Sequence, residues 1–181
     1  MNLPRNQKHN LGRVSNIAPI SIGGFFAVLA FSAICMGFHW LGADGWFPIL
    51  DSVNLALHEA GHPLVGILSE RASVYGGTLF QLIFPLAVAW HFYRDTNATG
   101  VGISLVWLGE NLFNIARYMA DARAQQLPLV GGYHDWTEIF SRWGVLHLDG
   151  LIANMTRGIG GILMVFVSVW LYRRWQNDKI N

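Results

Sequence analysis

The sequence predicts an all-α integral membrane protein, a bundle of four transmembrane helices plus one partly inserted helix that carries a histidine motif. Three observations predict it. The chain is 52% hydrophobic and 13% charged, where soluble chains carry about 25% charged residues. Uncharged runs long enough to cross a hydrocarbon core of ~30 Å recur along it. One further apolar stretch, residues 49–68, is broken by polar residues at helical spacing and by a proline. Five full spans are the alternative reading. At 181 residues the chain is expected to form a single membrane domain.

Residues 1–16 form a polar tail with Arg5, Lys8 and Arg13, and residues 17–41 hold no charge. A cleaved signal peptide would need a shorter apolar core ending in small residues. This run ends in His39, Trp40 and Leu41, which favours a retained anchor. Trp46 and Phe47 in the following loop suit the membrane interface. In residues 49–68, Asp51, Asn54, His58 and His62 fall three or four apart and share one helix face. Pro63 removes one backbone donor and predicts a kink. Residues 74–93 make a second uncharged run, and residues 98–116 a third that contains only Glu110. Residues 121–149 are mixed, with Pro128, Gly131 and Gly132 as breakers, and predict an extramembrane loop. Within it, residues 136–145 predict a short amphipathic helix. Residues 151–172 form the last run, with Arg157 placed to snorkel and a polar tail over 173–181.

Basic residues flank the first run at its start and the last at its end, so both tails are expected in the cytoplasm. An even number of crossings then requires that the histidine-bearing segment enter the membrane without crossing it. The net charge of +1, with scattered basic residues, gives no case for a nucleic-acid partner. The expected partners are membrane lipid, and a membrane-protein substrate or partner subunits. The lone Cys35 lies in an apolar run and indicates no redox compartment.

His58-Glu59-Ala60-Gly61-His62 has the H-E-x-x-H pattern. Two histidines four residues apart on a helix project to one side and can hold a zinc ion. Glu59, one residue after the first, stays near that face and can act as catalytic base. A catalytic zinc needs a third protein ligand and an open position. The candidates, in order, are His134 in the loop before Trp136, Asp149 before the last run, and Glu110 inside a membrane run. Asp135 and Asn54 are expected to support the ligands through hydrogen bonds. The competing roles are a turn histidine for His134, a helix N-cap for Asp149 and a pair with Arg117 for Glu110.

With His58-Glu59-x-x-His62 in an early membrane segment and Leu148-Asp149-Gly150 at the start of a late one, the chain resembles the site-2 protease family of intramembrane zinc metallopeptidases. The resemblance implies His58, His62 and Asp149 as zinc ligands and Glu59 as the group that activates water. The Gly131–Trp136 segment is also similar to one in a group of bacterial membrane proteins with the same early histidine motif, which implies a bacterial cytoplasmic (inner) membrane. The function expected is a zinc-dependent peptidase acting in or near the bilayer. The alternative is a non-enzymatic subunit or assembly factor of a membrane complex, with a structural metal or a polar histidine seam. A di-iron oxidase of the desaturase type needs more histidines, in adjacent pairs that this chain lacks. An ion path along the polar stripe is a further reading.

Overall fold

The computed structural model describes residues 19–42, 45–130 and 132–180, with side chains described as far as residue 177. The tail with Arg5, Lys8 and Arg13, together with Gly131 and Asn181, lies outside the described residues. The described chain is helical: α1 (Ile22–Leu41), α2 (Pro48–Gly66), α3 (Ser73–Arg94), α4 (Ala98–Ala120), α5 (Asp135–Arg142) and α6 (Asp149–Ile180). Short 3-10 turns at Glu70–Ala72 and Leu146–Leu148 lead into α3 and α6.

Each boundary has a local cause. Ser21 caps α1 by accepting the Gly24 N–H at 3.0 Å, and Asn97 caps α4 by accepting that of Gly100 at 2.9 Å. Pro48 opens α2 at a position where a missing N–H costs nothing. Asp51 reaches back to accept the Phe47 N–H at 2.7 Å. Pro63 does not end α2, which continues to Gly66. The polar tail expected over residues 173–181 continues α6, which is helical through Ile180.

α4 is the central element and packs against α6, α3 and α1. A core of Phe25, Val28, Val106, Phe113, Met164 and Val167 joins α1, α4 and α6. A second core, with Ile115, Met119, Trp136, Ile139 and Phe140, seats α5 across the end of the bundle. α5 is the short amphipathic helix that the sequence predicts, with Trp136, Ile139 and Phe140 inward. Glycines set the helix spacing. A Cβ on Gly61 would fall 2.1 Å from the Gly76 carbonyl oxygen, and one on Gly160 would fall 2.7 Å from that of Gly109. Such contacts let helices approach closely where lipid supplies no hydrophobic drive.

Among the described residues, three helical stretches are long and apolar enough to cross a membrane: Ile22–Leu41, Glu70–Arg94 and Leu146–Asn177. Their outer faces expose Phe26, Ile34, Ile83, Phe84, Ile162 and Phe166. Four spanning helices were expected. α4 falls outside this set because it carries Glu110, Asn111, Asn114 and Arg117. It is enclosed by its neighbours, and a helix hidden from lipid has no need of an apolar surface.

Candidate metal centre

α2 starts beside the middle of α4, where Asn54 donates to Glu110 (2.6 Å) and accepts from the Trp107 indole (2.8 Å). One turn later it meets the C-terminal end of α4, with the His58 ring 5.8 Å from that of Tyr118. At that level the close Gly61–Gly76 approach brings α3 against the motif. A Cβ on Gly77 would lie 2.5 Å from the His58 imidazole, so the ring occupies space that only glycine leaves open.

The two imidazoles are oriented by acceptors on α3. His58 Nδ1 donates to Gln81 Oε1 at 3.0 Å. His62 Nδ1 donates to the Ser73 carbonyl at 2.9 Å, and the Ser73 hydroxyl returns a bond to the His62 carbonyl at 2.9 Å. With Nδ1 protonated, a neutral ring carries its lone pair on Nε2. Both Nε2 atoms face the same carboxylate oxygen: Asp135 Oδ2 stands 2.8 Å from His58 Nε2 and 3.2 Å from His62 Nε2. Two imidazole nitrogens and a carboxylate oxygen meet at one point, an arrangement stabilised by a proton on the rings or by a metal ion in its place.

His58, His62 and Asp135 form a group that could hold a metal ion. Donors around a tetrahedral zinc at 2.0–2.1 Å stand about 3.3 Å apart; the His62–Asp135 spacing of 3.2 Å is close to this and the His58–Asp135 spacing of 2.8 Å is shorter. Gln81 and Ser73 take the place of the outer acceptors that fix metal-bound histidines. His58 is buried and Asp135 nearly so, with 9% of its surface exposed. Burial works against ionisation of Asp135, but hydrogen bonds from His58 and His62, and their charge, hold its carboxyl below the ordinary value.

The third donor at this group is therefore Asp135, which the sequence reading had as a supporting residue. His134, ranked first there, stands elsewhere. Its Nδ1 caps α5 by accepting the Thr137 N–H at 3.3 Å, and its ring packs on Tyr118 with centroids 4.2 Å apart. Its Nε2 lies 3.4 Å from Asp121 Oδ2, close enough for an ion pair but too poorly aligned for a hydrogen bond. Burial pushes the His134 imidazole below its ordinary value, with Asp121 opposing. Asp149, the ligand implied by resemblance, pairs with Arg123 at 2.7 Å and accepts the Gly150 N–H at 2.7 Å, near the N-cap role weighed for it. Glu110 is engaged by Asn54, and Arg117 lies over the Trp46 ring at 5.5 Å instead of pairing with it. Asn54 thus serves the Glu110 cluster, with its side-chain hydrogen bonds going to Glu110 and Trp107.

The group opens into a cavity of about 1170 Å³, which Glu59, Tyr118, Asn114 and Arg117 also line. Apolar lining comes from Leu55, Leu127 and Leu129. Asp121 ties down the loop that lines one side of it, accepting the Gln126 and Leu127 N–H groups at 2.9 and 3.0 Å. Comparison of the chain with protein-family models, curated proteins and solved structures finds no match.

Proposed function

We propose that this protein is a membrane-embedded zinc metallopeptidase, similar in its chemistry to the site-2 proteases, that hydrolyses a peptide bond in or near the bilayer. The observation that carries this reading is the convergence of His58 Nε2, His62 Nε2 and Asp135 Oδ2 with both Nδ1 atoms held by acceptors. Three donors leave one position of a tetrahedral ion open, as catalysis requires, whereas structural zinc sites close with four. That difference favours a peptidase over an assembly factor with a structural metal.

Zinc held there would acidify water and polarise the scissile carbonyl. Glu59 lies between the ligands in sequence and lines the same cavity. It takes the proton that water gives up and hands it to the departing amine nitrogen. The carbon–oxygen bond forms first, and the carbon–nitrogen bond breaks once the nitrogen carries that proton. The cavity's apolar side suits an extended, lipid-soluble segment of a membrane protein. Four crossings, with α4 as the enclosed fourth, α2 inserted part-way and both tails cytoplasmic in a bacterial inner membrane, complete the proposal.

The test uses the full chain in detergent, with its metal content and its cleavage of a labelled unstructured peptide measured together. One zinc per chain is expected in wild type and in Glu59→Gln, with cleavage lost in the variant. Iron in place of zinc, or a Glu59→Gln variant that cleaves as well as wild type, contradicts the peptidase reading.

A further inference from the structure

α4 presents Asn114, Arg117 and Tyr118 at spacings of three and four, so they share one face, and all three line the cavity that holds His58, His62 and Asp135. Their hydrogen-bonding capacity is one-sided. Asn114 Oδ1 already accepts from Gln81 Nε2 at 3.0 Å, which leaves its amide protons. The Tyr118 oxygen already accepts the Asp135 N–H at 3.1 Å, which leaves its hydroxyl proton. Arg117 lies over Trp46 and has no carboxylate within ion-pair distance among the described residues. Among those residues, no acceptor meets the Asn114 amide protons or the Tyr118 hydroxyl proton.

The orientation of this face is tied to the centre. His58 Nδ1 needs the Gln81 oxygen, so the Gln81 amide nitrogen must turn to Asn114 and claim its oxygen. The same geometry that turns Nε2 of His58 toward Asp135 therefore leaves donors alone facing the cavity. A partly buried wall of donors with one fixed positive charge favours a ligand that brings oxygen lone pairs and negative charge.

We infer that Asn114, Arg117 and Tyr118 form the oxyanion-binding wall of the centre, which takes the acyl oxygens of a peptidyl ligand as they carry or gain charge. This rests on the reading of His58, His62 and Asp135 as metal ligands. Tyr118 and Asn114 supply neutral hydrogen bonds at close quarters, and Arg117 supplies charge. Tyr118 has a second task, since its oxygen also steadies the backbone of Asp135.

The experiment loads the full-length protein with cobalt(II), whose visible bands report four-coordinate binding, and titrates methylphosphonate as a tetrahedral oxyanion. Imidazole, a neutral metal ligand, serves as the control. In Tyr118→Phe and Arg117→Gln the cobalt bands are expected to persist. Methylphosphonate is expected to bind roughly tenfold more weakly in each, the scale of one hydrogen bond to a charged group. Imidazole binding should stay as in wild type, and Arg117→Lys should recover part of the loss. Cobalt bands with methylphosphonate affinities within twofold of wild type in both variants overturn the wall and leave the metal centre standing. Wild-type protein that shows no cobalt bands overturns the metal centre itself, and the inference with it.

Discussion

A neutral imidazole donates from one nitrogen and accepts at the other, and at His58 and His62 the donating atom is fixed by Gln81 and Ser73. What remains on each ring is Nε2, aimed at Asp135 and able to carry a proton or a metal ion there. The adjacent residues His134 and Asp135 divide the work at the start of α5. His134 spends its Nδ1 on the helix backbone, and Asp135 sends its carboxylate to the motif. Asp135→Asn is therefore expected to lower zinc affinity by at least tenfold, while His134→Ala and Asp149→Asn hold zinc within about threefold of wild type. Competition titration against a chelator measures all three. Loss of zinc on Asp149→Asn with retention on Asp135→Asn would restore the ligand set implied by resemblance. The histidine pair was legible because the i, i+4 pattern is local. The choice between His134 and Asp135 was not, because it depends on how one loop approaches a helix some seventy residues earlier. Gln81 gave no signal at all, being a single amide in an uncharged run.

Helices meet at this centre by losing side chains at the contact. Gly61 and Gly76 allow α2 and α3 to touch, and Gly77 leaves room for the His58 ring. Gly77→Ala is expected to displace that ring and cut zinc affinity by about tenfold or more, since a Cβ 2.5 Å from the imidazole leaves it no room. Gly23→Ala meets nothing within 4 Å and should leave zinc binding unchanged. Zinc stoichiometry and helical circular dichroism on both variants check this. An unaltered Gly77→Ala protein would mean that the ring has freedom the packing denies it. At this level hydropathy and turn residues revealed the helices well, including α5. They did not reveal that α4 is the enclosed helix, because burial by protein and burial by lipid differ only in what surrounds the helix.

Seen along the bundle, the start of α3, the end of α4, the whole of α5 and the start of α6 gather at one end, together with the metal group. The Asp95–Asn97 turn lies at the far end of α3. On the proposed four crossings, with α3 crossing the membrane and α4 returning beside it, Ser69 and Ala124 belong on one side and Asp95 on the other. Single cysteines placed at these exposed positions in a Cys35→Ser background are expected to react accordingly with a membrane-impermeant maleimide. Ser69→Cys and Ala124→Cys should be labelled from the same side and Asp95→Cys from the opposite one. Labelling of Ser69→Cys and Ala124→Cys from opposite sides would mean that α4 does not return across the bilayer. The cavity beside the metal group was not legible in the sequence, since Leu127, Leu129 and the α4 wall are far apart in sequence and carry no shared motif.

X-ray absorption at the zinc edge of the purified full chain reads the ligands themselves. The expected spectrum has one zinc per chain at about 2.0–2.1 Å from nitrogen and oxygen donors, with the outer-shell signature of two imidazoles. His58→Ala should reduce that signature to one or abolish binding. A protein without metal, or a zinc whose spectrum is indifferent to His58→Ala and Asp135→Asn, would contradict the assignment of these three residues.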